Sequence, residues 1–337
     1  GLAMTSLSPS LELSPELATH PAYSRVFQPE GLTFGYIMPL EGYPNSPFPT
    51  LQDHQRLARI ADEAGFASLW MRDVPFYDPS FGDTGQMIDP FVYLGYLAAV
   101  TKQIALGTTG IVLPLREPLI VAKQSVSVDQ LTGGRFMLGL SSGDRPIEYP
   151  AFGIDFETRE ERYREGFQLI RTVTENSFPT ASTRLFGQLE GLLDMVPKPV
   201  GPRLPMIVVG RARQTLEWIA NNADAWIWHL SDFGRLPALI QEFRSANQSG
   251  AFKPYGYATF FDLAKDPTTP LERGYNGIRI GRNALIELWK RQQDEGVSHV
   301  ALNIKPLQRP AADVLEEMAE YVLPHFPVGQ SAPKVSL

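Results

Sequence analysis

The side chains available for chemistry are limited by the composition. The chain has no cysteine and five histidines, so thiolate nucleophiles, disulfides and cysteine-bound metals are excluded. Only His229 directly follows a predicted strand, where it could donate a hydrogen bond or move a proton. Packing against the preceding tryptophans is the alternative. Structural or surface roles are expected for the other four, His20, His54, His299 and His325. One imidazole does not make a metal site, and we expect none.

A carboxylate, Asp73, also follows a predicted strand. Burial would raise its pKa and suit it to acid or base catalysis, whereas an ion pair with the preceding Arg72 would keep it ionised. The sequence leaves both alternatives open. Asp73 and His229 are therefore the candidate catalytic residues.

The segment Gly210-Arg211-Ala212-Arg213 has the residue types of an anion-binding site. It follows one predicted strand and precedes a predicted helix. Free backbone amides and two guanidinium groups there would bind a phosphate. The alternative, that the arginines point into solvent, is less favoured because the helix dipole disfavours cations at a helix start. We predict a phosphate site.

Small residues interrupt two neighbouring apolar strands at the same end. Thr108-Thr109-Gly110, preceded by Gly107, lie in the third predicted strand, and Ser141-Ser142-Gly143 end the fourth. Glycine within a strand often marks the close approach of a bulky group. Two neighbouring strands with small side chains beside a phosphate site predict a planar, phosphorylated aromatic cofactor.

Eight strand–helix pairs are needed to position these residues. Helices are predicted after each strand, with capping boxes at Thr50/Asp53 and Thr158/Glu161 and with Pro118 opening the third helix. The predicted strands cover residues 32–38, 67–71, 104–113, 135–140, 206–209, 225–228, 255–263 and 299–304.

The number of pairs distinguishes two fold classes. A doubly wound sheet usually carries a glycine fingerprint after its first strand, and none follows Met38. Eight consecutive units favour an α/β fold of the (β/α)8 TIM barrel type, with an irregular insertion between units four and five at about residues 178–205. We expect an N-terminal extension (1–30), one barrel domain (31–325) and a C-terminal tail (326–337).

The charge balance narrows the partners. With 30 Lys+Arg against 37 Asp+Glu in 337 residues, the formal net charge is −7, which argues against a nucleic-acid partner. No apolar run approaches the roughly 18 residues that span a bilayer. The first thirty residues lack the basic and apolar regions of a secretory signal. We expect a cytoplasmic protein without a membrane partner.

The motifs resemble those of the bacterial luciferase-like flavin monooxygenase family. Leu106 to Pro114 (LGTTGIVLP), Asp129 to Leu140 (DQLTGGRFMLGL), Ala151-Phe152-Gly153 and Val208-Val209-Gly210 before Glu217-Trp218 stand in the family's order. The resemblance covers about residues 32–324. The loop Ser141 to Arg145 and the long N-terminal tail are more similar to a luciferase-type oxidoreductase subgroup.

The resemblance implies a cofactor and its contacts. It implies a barrel, usually dimeric, that binds reduced FMN or the deazaflavin F420. A cis peptide at Thr109-Gly110 would support the flavin ring, and Gly210 to Arg213 would hold its phosphate. The reaction implied is oxygenation of a small organic substrate by O2, with reduced flavin delivered by a separate flavin reductase.

The chain departs from the family at sites that matter for activity. Where luciferases carry histidines after the second strand, this sequence reads Arg72-Asp73-Val74. Where they carry a phosphate-binding arginine after the fourth strand, Ser142 stands here; Arg145, or Arg211 with Arg213, could supply that charge. Light emission is not inferred. An F420-dependent hydride-transfer enzyme and a non-catalytic flavin-binding protein are the alternatives to an FMN monooxygenase.

Overall fold

Eight parallel strands form a closed barrel in the computed structural model, which describes residues 11–229, 232–274 and 277–329. Each strand pairs in parallel with the next, and Thr33 of the first pairs with His299 of the last. This closure confirms the TIM barrel and excludes the doubly wound sheet. The strands are β1 Thr33–Ile37, β2 Ser68–Met71, β3 Ala105–Thr108 continued by Ile111–Val112, β4 Phe136–Ser141, β5 Met206–Val209, β6 Ala225–Trp228, β7 Tyr255–Leu263 and β8 His299–Asn303.

A helix follows each strand and covers the outside of the barrel. Two of them start where an acidic residue precedes a proline: Asp89 accepts hydrogen bonds from two amides of the first turn of α2, and Glu117 does so for α3. Among the described residues, no helix is long and apolar enough to cross a membrane. The helices are α1 His54–Ala64, α2 Pro90–Val100, α3 Pro118–Leu131, α4 Arg159–Glu175, α5 Leu216–Asn222, α6 Leu236–Ser245, α7 Arg282–Asp294 and α8 Ala311–Glu317.

Alternate strand residues contribute to two apolar clusters. Leu69, Leu138 and Trp226 belong to the larger cluster, which includes the inner faces of the helices. Their neighbours Trp70, Met137 and Ile227 belong to the cluster that fills the barrel interior. This alternation follows from the two-residue period of a strand, and it places one set of side chains beneath the carboxyl ends of the strands.

The segment before β1 covers the amino-terminal end of the barrel. Leu17, Tyr23 and Phe27 are fully buried and join the interior cluster. The Tyr23 hydroxyl donates to the carbonyl of Asp224, just before β6, over 2.7 Å. Within the described residues, this segment covers the end of the barrel opposite the carboxyl ends of the strands.

Two antiparallel hairpins were not predicted. Thr180–Ser182 pairs with Gln188–Glu190 inside the insertion between α4 and β5. Glu272–Gly274 pairs with Gly277–Ile280, which extends the sheet from the end of β7. The insertion, which we expected to be irregular, thus contains a short hairpin. The sequence did not predict it because its strands are exposed or half-buried and so show no alternating apolar pattern.

Both predicted capping boxes are wrong. The Thr50 amide and hydroxyl donate to the Glu41 carboxylate, and α1 begins only at His54 after Asp53 in a left-handed conformation. The Thr158 hydroxyl donates to the carbonyl of Asp155 over 2.6 Å and does not cap α4. In both cases the threonine hydroxyl donates to an acceptor in the preceding loop, and the threonine does not cap the helix.

Candidate active site

A cavity of about 1200 Å³ opens at the carboxyl-terminal ends of the strands. Ile37, Thr109, Ser141, Val209, Trp228 and Asn303 contribute to its wall from six different strands or the residues that follow them. This is the face on which TIM barrels carry their active sites. Among the described residues, no group of three His, Cys, Asp or Glu side chains is placed to hold a metal ion.

The predicted site residues converge on this cavity. Every residue proposed above for catalysis or cofactor binding lines it, except Thr108. The Thr108 hydroxyl donates to the Gly139 carbonyl and accepts from the Gly139 amide, at 2.7 and 2.9 Å. Thr108 therefore ties β3 to β4 below the cavity floor.

Two glycines in β3 and β4 are required by packing inside the barrel and not by a ligand. A side chain at Gly107 would meet the Trp70 ring at 2.5 Å, and one at Gly139 would meet the Thr108 carbonyl at 1.9 Å. The space beside Gly107 is thus filled by tryptophan inside the barrel. Of the small residues predicted on β3 and β4, Thr109, Gly110, Ser141, Ser142 and Gly143 line the cavity.

The peptide between Thr109 and Gly110 is cis, as the family resemblance implied. It separates the two parts of β3. The Thr109 amide donates to the Met71 carbonyl over 2.8 Å, and the Ser141 hydroxyl donates to the Gly110 carbonyl over 3.2 Å. Both neighbouring strands therefore hold this part of the wall.

Asp73 is held by an arginine other than Arg72. Both its carboxylate oxygens accept from Arg116, at 2.8 and 2.9 Å, and one also accepts from the Val112 amide at 3.0 Å. The Asp73 side chain is only 5% exposed. Because its oxygens are occupied, Asp73 anchors the loop after β2 to the end of β3, and its ion pair is with Arg116 and not with Arg72, the partner that one of the two alternatives named.

Arg72 instead binds Asp83, in a network that closes one side of the cavity. Its guanidinium donates to Asp83 over 2.7 Å, and the Tyr43 hydroxyl donates to the other carboxylate oxygen over 2.9 Å. Burial opposes ionisation of Asp83, but the charge and hydrogen bond of Arg72 and the hydrogen bonds from the Gly85 amide and Tyr43 together outweigh it and lower the pKa of Asp83. The network fixes the loop after β1 against the loop after β2.

The loop from Gly210 to Arg213 has the backbone of an anion-binding nest. Gly210, Ala212 and Arg213 all have left-handed conformations, with φ of 73°, 51° and 57°. The amides of Arg211, Ala212 and Arg213 donate to no described residue. Successive free amides in such a loop form a concave site for an anion. A phosphate group fits this loop because it would supply the missing acceptors.

His229 lies at the rim of the cavity on the opposite side from Asp73. It is exposed, and its ring centroid lies 5.7 Å from that of Trp228. Trp228 stacks on Trp226 at 5.5 Å, and the Arg211 guanidinium lies 5.8 Å from the Trp228 ring. His229 is thus placed to contact a ligand in the cavity mouth; the adjacent positions 230–231 lie outside the described residues.

Several residues of this site gave no local signal in the sequence. Arg116 lies 43 positions from Asp73, and Asp83 lies 11 positions from Arg72. Lys305 also lines the cavity, where its ammonium group donates to the Tyr43 carbonyl over 2.8 Å. Charged residues that follow strands are the one signal that could have found them, since those positions converge in a barrel.

The chain belongs to the luciferase-like monooxygenase family, whose model matches residues 32–267. An uncharacterised protein of Mycobacterium tuberculosis is 30% identical over 216 residues, covering 59% of this chain and 73% of the relative. The 4-hydroxyprotoasukamycin monooxygenase of Streptomyces nodosus subsp. asukaensis is 31% identical over 171 residues, covering 50% and 45%.

Solved structures share the fold at low sequence identity. Monooxygenase RslO1 from Streptomyces bottropensis has a TM-score of 0.72 at 19% identity, covering 88% of this chain and 100% of that one. The F420-dependent tetrahydromethanopterin reductase of Methanopyrus kandleri has a TM-score of 0.70 at 15% identity, covering 88% and 100%. The oxygenating constituent of 3,6-diketocamphane monooxygenase from Pseudomonas putida, solved with FMN, has a TM-score of 0.69 at 14% identity, covering 87% and 98%.

Proposed function

We propose that this protein is a flavin-dependent oxidoreductase, a monooxygenase that uses reduced FMN and O2 on a small organic substrate. The observation that carries the proposal is the nest from Gly210 to Arg213 at the edge of a cavity large enough for a flavin and a substrate. Membership of the luciferase-like monooxygenase family supports the same reaction class.

The chain's own residues would bind, orient and shield the cofactor. The nest amides and the guanidinium groups of Arg211 and Arg213 would bind the phosphate of FMN. The wall at Thr109-Gly110 and Ser141 to Gly143 would contact the ring. When bound, reduced FMN supplies the electrons with which O2 is activated. His229 at the rim is the remaining candidate for proton transfer, because Asp73 is engaged by Arg116.

F420 is the second candidate cofactor, for a hydride-transfer reaction. Two exposed arginines flank the nest, and they could bind the additional acidic groups of a longer cofactor tail. A structure of the same fold is named as an F420-dependent reductase. FMN is preferred because its one phosphate would use both arginines together with the free amides of the nest.

The source of the reduced FMN, the oligomeric state and the location of the protein are part of the same proposal. No second nucleotide-binding fingerprint occurs in the sequence, so we infer that a separate flavin reductase provides reduced FMN. A homodimer is a prediction from the family resemblance, and a cytoplasmic location is a prediction from the sequence. Light scattering of the purified protein tests the dimer.

Separate titrations with FMN and F420 test the cofactor. We expect FMN to be retained on gel filtration and F420 to be lost. Retention of F420 alone would replace the oxygenase by the hydride-transfer reaction. Retention of reduced FMN that only slows its reaction with O2, with no candidate substrate oxidised, would instead support a non-catalytic flavin-binding protein.

A further inference from the structure

Two oppositely charged residues lie buried in the cavity wall on the segment after β4. Arg145 is 6% exposed and Glu148 is 5% exposed, and both line the cavity. A turn joins them, in which the Glu148 amide donates to the Arg145 carbonyl over 3.0 Å. Glu148 then begins the short helix Glu148–Ala151. Charged residues are seldom this buried unless each has a partner.

Neither residue is fully paired. One terminal nitrogen of Arg145 (Nη2) donates to the Asp83 carbonyl over 2.7 Å, and its guanidinium lies 3.9 Å from the centre of the Phe81 ring. Its other terminal nitrogen, Nη1, is buried and has no partner among the described residues. The Glu148 oxygen Oε2 is in the same situation. The guanidinium nitrogens of Arg145 and the carboxylate oxygens of Glu148 lie more than 4.0 Å apart, so the two residues do not form an ion pair.

Arg145 and an ionised Glu148 together carry no net charge. Burial raises the pKa of Glu148, Arg145 opposes the rise, and the carboxylates of Asp73, Asp144 and Asp78 add to it. Asp73 is itself neutralised by Arg116. A second full negative charge placed here would therefore lack a counter-ion, and burying an unpaired charge is unfavourable.

We propose that Arg145 and Glu148 form a substrate-binding subsite for a carboxamide or lactam group. The amide carbonyl accepts from Nη1 of Arg145, and the amide N–H donates to Oε2 of Glu148. One neutral planar group would thus offer a partner to both unpartnered atoms. The subsite rests on the proposed function only in that its ligand is the substrate of the flavin reaction.

Three matched aromatic probes test the ligand class in the cofactor-free protein. Benzamide, benzoate and methyl benzoate share one ring and differ in the polar group. We expect ligand-observed NMR titrations to show that benzamide binds most tightly. Tighter binding of benzoate would overturn the amide assignment and indicate an anion subsite, and equal binding of all three would exclude polar recognition.

Variants then locate the subsite. Glu148→Met is expected to weaken benzamide binding about tenfold, because the acceptor for the amide N–H is lost. Glu148→Gln keeps an acceptor and is expected to stay within about twofold of the wild type. The exposed Glu157 provides the control Glu157→Met. An unchanged affinity in Glu148→Met would overturn the proposal.

FMN affinity separates this proposal from the proposed function. Each Glu148 variant is expected to bind FMN as the wild type does, since the nest lies on the loop after β5 and Glu148 is not among the residues proposed to contact the flavin ring. If the wild type binds benzamide through Glu148 but does not bind FMN, the flavin proposal fails and the amide subsite stands. The reverse result would remove only the subsite.

Discussion

At the scale of single residues, His299 shows how a buried imidazole is kept neutral. The Trp70 ring N–H donates to its Nε2 over 3.1 Å, and its Nδ1 lies 2.8 Å from the Thr33 hydroxyl, which itself donates to the Val26 carbonyl. The network assigns the proton to Nδ1. Burial lowers the pKa of His299 from 6.5 to about 3. His299 thus has a structural role, as the sequence predicted.

The pH dependence of stability follows from this pKa. The pKa of the buried His20 is also lowered, to about 4. Between pH 6.5 and about 4, both histidines therefore bind a proton in the unfolded state but not in the folded state. The unfolding free energy should therefore fall as the pH drops from 6.5 to 4.5, by up to about 1.4 kcal/mol per pH unit for each histidine. Urea titrations at several pH values measure the slope.

A histidine variant provides the comparison. His299→Gln should be less stable at neutral pH, but its slope between pH 6.5 and 4.5 should be smaller than that of the wild type. An identical slope in both proteins would contradict the assignment of a neutral buried His299.

The partners of the charged side chains were the part of the site that the sequence predicted least well. The position of Asp73 at a strand end was sufficient to place it on the cavity, but its partner Arg116 comes from a different βα unit. Ion pairs between distant units depend on the tertiary arrangement, which a local pattern does not contain. Glu148 was missed for the same reason, since nothing in its neighbours indicates burial without a partner.

At the scale of elements, the buried strands were the most predictable part of the fold. Met206–Val209, Ala225–Trp228 and Tyr255–Leu263 coincide with their predicted ranges. Each of these strands is an apolar run bounded by loops, so the limits of the run predict where the strand begins and ends. The hairpin Glu272–Gly274 with Gly277–Ile280 was missed because its strands are short and partly exposed, so burial gives them no continuous apolar signal.

The loop after β5 is the element whose backbone shape matters most for the proposed function. A side chain at Gly210 would meet no atom of a described residue within 4 Å, so the barrier to substitution that these residues show is its left-handed φ of 73°. Gly210→Ala should cost about 1–2 kcal/mol of stability or distort the nest, and FMN binding should weaken in either case. Thermal unfolding and FMN titration measure the two effects.

A second glycine makes a matched control. Gly187 also has open space around it, but its φ is not left-handed. Gly187→Ala should leave both the melting temperature and the FMN affinity unchanged. If the two variants behave alike, the conformation of Gly210 is not what forms the anion site.

At the scale of the whole molecule, the N-terminal segment is part of the folded unit. We propose that residues 31–325 form the barrel domain and that the segment from residue 11 closes its amino-terminal end. Phe27 is fully buried and lies against the His299 ring, with centroids 6.0 Å apart. The segment therefore stabilises the barrel interior from the end opposite the cavity.

Truncation of Phe27 tests this role. Phe27→Ala should lower the unfolding free energy by about 3–5 kcal/mol, as for other fully buried aromatic residues. Leu11→Ala, at a residue that is 44% exposed, should change it little. Chemical denaturation compares the two, and a cost below about 1 kcal/mol for Phe27→Ala would mean that the segment is only loosely attached.

The central claim is that the cavity holds FMN with its phosphate in the loop from Gly210 to Arg213. Its most direct test is the Kd of FMN for the wild type, Arg213→Ala and the control Arg291→Ala, an exposed arginine on α7. Loss of a charge-assisted bond should weaken binding by about 1–3 kcal/mol in Arg213→Ala and leave the control unchanged. An FMN affinity that is the same in all three proteins would contradict the phosphate site.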